Sequence, residues 1–339
     1  MTGWAPWRRL TSRLPWLRWL ETWGVSLASL VLGLLTLLVF RRGLPHVGWI
    51  VGYLLLLWLI FAALTEWRAP LEGRGRHLVV GAGEYAIQSL HHNLQLFVLP
   101  AYYASATLTS LNAFFLGGVV AGALVTGVDP WYRRLVHPRP WLGHWLFGFS
   151  IFSALNVALP LVGVRPILAL GASAVLAAMA LTPAFRRHAA IGWGRALRQA
   201  AALAVLAALL AWNGRALVPP APLFIARAAA ARTVALLEPV DVIEGSVPAA
   251  TVAGWGQLAA FTAVYAPGGL RQGIAHVWRK NGAVLARIPL SPVHGGRAEG
   301  FRTWSQRRDL RLPLEGRYTV DVVTASDQLI GRLRFTVTP

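Results

Sequence analysis

The chain has 339 residues, 56% of them hydrophobic and only 13% charged, with a mean hydropathy of +0.53; that charged share is about half the usual one for a soluble domain and points to a membrane protein. A formal net charge of +19 invites a nucleic-acid partner, but apart from Lys280 the basic residues are arginines, clustered in the front part between apolar runs. That is how membrane topology is written, not how a basic stripe on a nucleic-acid-binding face is built. The absence of cysteine excludes disulfides, thiolate metal sites and a cysteine nucleophile.

In chain order, an apolar front precedes a more ordinary back. Before residue 230 the acids are only Glu21, Glu66, Glu72, Glu84 and Asp129. The chain opens on WAPWRRLTSRLPWLRWLETW, where Trp and Leu alternate with Arg8, Arg9, Arg13 and Arg18. Residues 1–21 read as an amphipathic segment in the cytoplasmic headgroup layer, or as an ordinary charged terminus. Seven runs approach the about 20 apolar residues that a bilayer crossing needs: 22–40, 47–65, 84–106, 109–128, 141–162, 166–184 and 197–217. The first is too long for a cleaved signal and reads as a retained anchor. With the N-terminus in the cytoplasm, fourteen arginines fall inside and four outside, at Arg41, Arg42, Arg165 and Arg215. Seven spans then place the C-terminal part in the periplasm of a Gram-negative cell; losing the third, the most polar, would reverse that.

Residues 79–95, VVGAGEYAIQSLHHNLQ, carry two overlapping patterns. Gly81 and Gly83 begin a G-x-G-x-x-A, but a dinucleotide fold needs an acid about 20 residues on, within a βαβ unit. After Glu84 no acid occurs until Asp129. The glycines read instead as the approach to a membrane helix. On that helix Glu84, Gln88, His91 and Gln95 fall within about 60° of one another at ~100° per residue. His92 lies at the edge of the stripe, and Tyr102 returns to it beyond Pro100. Ionisable groups in a membrane face the protein interior and pair. The stripe has three readings: a hydrogen-bonded seam between helices, an interfacial segment with Glu84 in water, or a metal, proton or headgroup site. Partners within reach are His144, Asn156 and Asn112. No second ligand set identifies a metal.

Pro219, Pro220 and Pro222 end the last span and stiffen a Pro/Ala-rich linker, 218–230. From 231 the pattern changes to short alternating runs. Asn281-Gly282 predicts a two-residue hairpin turn that pairs Lys280 with Ala283 and Trp278 with Leu285. A second hairpin turns across Ala325-Ser326-Asp327, with Leu329, Leu333, Phe335 and Val337 inward and Arg332, Arg334 and Thr336 outward. Residues 231–339 thus read as a small antiparallel all-β sandwich, Ig-like. His276, Trp278, Arg302, Trp304 and Arg317 could form an aromatic and basic face for an anionic or sugar-like ligand; alternatively the tryptophans are core and the arginines its rim.

Three stretches, HVWRKNGAVLARIPL, FRTWSQRRDL and GRYTVDVVTASDQLIGRLRFTV, together resemble a bacterial C-terminal domain of unknown function. That family shows a His-x-Trp strand, an Arg-Thr-Trp-Ser stretch and a closing Gly-(Trp/Tyr)-x-Val-x-Val hairpin. It is often attached to a multi-span part resembling residues 20–215, including FVLPAYYASATLTSLN. The resemblance implies a membrane-anchored accessory protein and carries over no catalytic residue.

Metalloprotease, P-loop and serine-hydrolase signatures are missing, and no cofactor-binding motif survives scrutiny. The reading is a polytopic α-helical domain at 22–217 bearing a periplasmic β domain, in the bacterial inner membrane. It works as a non-enzymatic scaffold or binding protein toward an envelope glycan, lipid or membrane-protein partner, without nucleic acid. The alternative is an intramembrane transporter, proton-linked sensor or membrane enzyme built on the third-span stripe.

Overall fold

The computed structural model describes residues 47–310 and 312–339; the predicted N-terminal segment 1–21 and first span 22–40 lie outside the described residues. From residue 47 the chain forms a helical region and then a β domain. The helices are α1 (Val47–Gly73), α2 (His77–Ser105), α3 (Ala113–Gly127), α4 (Asp129–Leu135), α5 (Pro140–Leu161), α6 (Pro166–Met179), α7 (Thr182–His188) and α8 (Trp193–Asn213). Prolines open several of them, as the first turn allows: Pro130 in α4, Pro140 in α5, Pro166 in α6 and Pro183 in α7.

Among the described residues four helices are long and apolar enough to cross a membrane: α1, α5, α6 taken on through α7, and α8. A fifth counts only if α3 and α4 form one span bent by 101°. Six spans are predicted over the same residues, of which hydropathy and length alone single out four or five. The third predicted span is a single helix of 29 residues, α2, but its Glu, Gln, His and Asn content keeps it out of the apolar set. On α1, by contrast, Trp49, Leu55, Leu56 and Leu59 are exposed large apolar side chains, which is what a helix facing lipid carries.

The β domain comprises β1 (Phe224–Ala235), β2 (Glu238–Ile243), β3 (Ser246–Pro248), the short helix α9 (Ala249–Trp255), β4 (Leu258–Tyr265), β5 (Arg271–Gln272), β6 (Ile274–Lys280), β7 (Ala283–Pro289), β8 (Val293–His294), β9 (Phe301–Arg307), β10 (Gly316–Thr324) and β11 (Leu329–Thr338). β1 therefore starts inside the segment that the prolines mark as linker. One open sheet has the order β2-β1-β4-β9 and another β3-β11-β10-β6-β7, with β5-β8 a separate pair. The two larger sheets share a core: Ala230, Leu258 and Ala260 from the first meet Trp278, Tyr318, Val320 and Phe335 from the second. The pairing of β3 with β11 is parallel, a departure from a wholly antiparallel domain.

Both predicted hairpins form, each with a one-residue correction. Asn281 and Gly282 both have positive φ, 48° and 90°, which a tight primed turn requires. Lys280 pairs with Ala283 as expected, but a bulge after Trp278 pairs that residue with Ala286 instead of Leu285. A second bulge, between Val322 and Val323, changes the faces beyond it. Ile330 enters a second core cluster with Leu223, Val264, Ile274 and Val322, while Leu329, predicted inward, packs with Ala275, Val277 and Val323. An offset of one residue exchanges faces because side chains alternate.

Contacts divide the chain into two compact units. One includes 47–99, Gly118–Ala154 and Ala174–Ala207; the other is Pro100–Gly117, Leu155–Ser173 and Ala208–Pro339. In the second unit the β domain is fastened to helix ends and their loops. Asn112 Nδ2 donates to the carbonyl of Leu329 at 3.2 Å, Arg215 Nε to that of Ser326 at 2.9 Å, and Gln328 Nε2 to that of Val218 at 3.4 Å. Arg334 also reaches the hydroxyl of Thr109.

Candidate functional site

The predicted stripe lies on α2. Gln88, His91, His92 and Gln95 are all buried. A buried polar group must be hydrogen-bonded to be tolerated, and each of these is tied to a neighbouring helix or its end. Gln88 Nε2 donates to the carbonyl of Thr126 at 3.0 Å and to Asp129 Oδ1 at 2.6 Å. His91 Nδ1 and Gln95 Nε2 meet the hydroxyl of Ser150 at 3.0 and 3.1 Å. His92 Nδ1 sits 3.0 Å from the carbonyl of Ala123. In the other unit Tyr102 is buried and accepts a hydrogen bond from Asn156 Nδ2 at 3.1 Å. Of the three predicted partners, then, only Asn156 serves. His144 instead packs edge-on against Phe61, and Asn112 binds the β domain. Asp129, Ser150 and Thr126 were not expected. A lone acid before a proline, and small hydroxyls within apolar runs, were the available signals.

The glycines help α2 approach its neighbours. A Cβ on Gly83 would stand 2.9 Å from Leu64 of α1, and one on Gly127 would stand 2.6 Å from the His92 ring. Residues 77–105 are helix throughout, so Gly81 and Gly83 form no phosphate-binding turn. Replacing Gly127 by valine should cost about 1–3 kcal/mol, the usual penalty for overpacking. Gly117→Ala, where nothing lies within 4 Å of the added carbon, is the matched control. Thermal stability in detergent reads the difference.

Glu84 differs from the rest of the stripe. Its side chain is 27% exposed and pairs with Arg68 Nη2 at 2.9 Å, with His137 Nε2 3.8 Å away. Arg68 also pairs with Glu72 at 3.0 Å. Glu84 lines two clefts. One, of about 400 Å³, lies among α1, α2 and α5 and is lined also by Phe61, Leu64, His91, His144, Phe147 and Arg187. The other, of about 410 Å³, is lined by Gln88, Asp129, Tyr132 and Arg133 among others. Among the described residues no three His, Cys, Asp or Glu side chains are grouped to hold a metal ion.

In the β domain the five predicted residues do not share one face. His276 and Trp278 are buried between the sheets. His276 Nε2 is 3.0 Å from the hydroxyl of Thr262, and its Nδ1 is 2.8 Å from that of Ser305. Trp278 Nε1 donates to the same Ser305 hydroxyl at 2.8 Å. Burial pushes the His276 imidazole down to about 4 from its ordinary 6.5. Trp304, between Thr303 and Ser305, points the other way and is 43% exposed. Arg302 binds Glu238 at 2.7 Å, and Arg317 lies exposed at the start of β10. The alternation of the Arg-Thr-Trp-Ser stretch thus splits it: its Ser305 hydroxyl satisfies the core His and Trp, its Thr303 hydroxyl bonds that of Thr262 at 3.0 Å, and its Arg and Trp remain outside. Ser305, which joins the two buried rings, was not expected from the sequence.

Two families match the chain. A family of unknown function, DUF5924, covers residues 5–244, and a protein of unknown function, DUF2914, covers residues 271–337, from β5 into β11. No curated protein and no solved structure matches it significantly. Because the first match takes in the helical region and well over half the length, the chain belongs to the DUF5924 family.

Proposed function

We propose that this protein is a non-enzymatic scaffold or binding protein of the bacterial inner membrane, presenting its β domain on the periplasmic side. The proposed organisation is a cytoplasmic amphipathic segment (1–21), seven spans (22–217), a linker (218–230) and an Ig-like sandwich (231–339). α2 is the third span, admitted to the bilayer because its polar groups bond within the helical region. The arginine bias supports the orientation.

The observation that carries the reading is the fastening of the β domain to helix ends through Asn112, Arg215 and Gln328. A domain held in this way offers its surface at a fixed height above the membrane and does not range on a tether. The surface it offers includes Trp304, 43% exposed, with Arg302 on the same side. An exposed indole next to a guanidinium suits an anionic glycan by stacking and charge.

The test is retention of solubilised peptidoglycan fragments by the full-length protein in detergent. Trp304→Ala should weaken retention by about tenfold, the range of one exposed stacking anchor. Equal retention by the variant, or none by the wild type, overturns the glycan assignment. A periplasm-dependent reporter fused at Pro339 that stays inactive overturns the topology.

A further inference from the structure

The cleft of about 400 Å³ has a graded lining. Along α1, Phe61, Leu64, Thr65, Arg68 and Glu72 share one face at i, i+3, i+4, i+7 and i+11. The lining therefore passes from aromatic to charged over ~16 Å of helix. Phe147 stacks on Phe61 at 3.9 Å at the apolar end, and Glu84 joins Arg68 at the polar end. α1 is of membrane-crossing length and composition. A gradient along the end of such a helix lies across the boundary between hydrocarbon and headgroups.

The charges at the polar end have both signs. Arg68 is already held between Glu72 and Glu84. Arg187 is exposed and has no carboxylate partner among the described residues. A purely anionic ligand would meet two carboxylates, a purely cationic one would leave Arg187 unused, and a fully water-soluble one would leave Phe61 and Phe147 uncovered. A headgroup with both a phosphate and a hydrogen-bonding amine answers all three conditions.

We propose that this cleft binds a glycerophospholipid whose headgroup carries a phosphate and a primary amine. The ammonium lies at Glu72 and Glu84, the phosphate at Arg187, and the first part of an acyl chain against Phe61 and Phe147. A primary ammonium has three N–H donors for the carboxylates; a trimethylated one has none. The site does not depend on the β domain or on any glycan bound there.

The test is native mass spectrometry of the full-length protein in detergent. The probes are dimyristoyl phosphatidylethanolamine, the matching phosphatidylcholine and phosphatidylglycerol, and free phosphoethanolamine. The expected result is phosphatidylethanolamine bound at least about tenfold more tightly than the other two lipids, a difference worth about 1.4 kcal/mol, and no binding of free phosphoethanolamine. Glu84→Gln should erase the preference over phosphatidylcholine. Arg187→Gln should weaken all three lipids together, and because its side chain is exposed it carries the test where Glu84→Gln fails to fold. Equal affinity for the three lipids, preference for phosphatidylglycerol, lipid binding unmoved by Arg187→Gln, or free phosphoethanolamine binding as tightly as the lipid overturns the proposal.

Discussion

Acidification from pH 6.5 to pH 4 should cost the β domain about 3 kcal/mol through His276 alone, at about 1.4 kcal/mol per pH unit. In the unfolded chain the imidazole takes its proton near pH 6.5; in the fold, burial delays this to about 4. The contribution is fully present above pH 6.5, where both states are neutral. It is lost as pH falls, because the unfolded chain binds the proton first, and the loss is complete once the folded form is protonated too. Carboxylates elsewhere also titrate in this range, so the informative quantity is the difference between wild type and His276→Gln. At pH 7 the variant should be the weaker, having changed two hydrogen bonds to Thr262 and Ser305. Toward pH 4 its stability should fall less steeply. Protease protection of the β domain across denaturant, measured at both pH values, checks this; parallel acid slopes would mean that His276 is not the group responsible.

Asp321→Ala should destabilise the same domain by about 1–2 kcal/mol, less than breaking a fully buried ion pair, because the side chains of Arg332 and Arg279 are 22% and 36% exposed. Asp321 is buried in β10. Arg332 of β11 grips it through both Nε and Nη2, the latter at 2.9 Å, and Arg279 of β6 reaches it at 3.3 Å. Removing the carboxylate leaves two guanidiniums, on the strands either side of β10, without their shared counter-charge. Combining Asp321→Ala with Arg332→Leu should recover part of the loss, because the uncompensated charge goes with its side chain. Denaturant midpoints of the single and double variants provide the comparison; a double variant as weak as the sum of both singles would contradict it.

The division into a helical front and a β-stranded back was legible because hydropathy and alternation are local properties. The number of spans was less so. α2 combines membrane length with a polar face that lowers its hydropathy, and the chain bends by 101° between α3 and α4, where Asp129-Pro130 starts a new helix. The alignment of Gln88, His91 and Gln95 was legible from helical periodicity, whereas their attachment to Ser150 and Asp129 was not, since those residues are brought in by packing between helices distant in sequence. In the tail, the shared face of His276 and Trp278 came from alternation. That this face is the core depends on which sheet closes over it, and Ser305 arrives from that second sheet. The two bulges account for the misplaced neighbours of Trp278 and Leu329.

The attachment of the β domain to Asn112, Arg215, Val218 and Thr109 also bears on mechanics. Four such bonds, at about 1 kcal/mol each, make a clasp that thermal motion rarely opens. A pull on the domain is therefore delivered at once to the α2–α3 loop and the exit from α8, with little slack to take up. The proline stretch adds no slack of its own, since Ala221 is buried and Leu223 packs into the core of the β domain. The connection from the end of α8 into β1 is therefore stiff along its length.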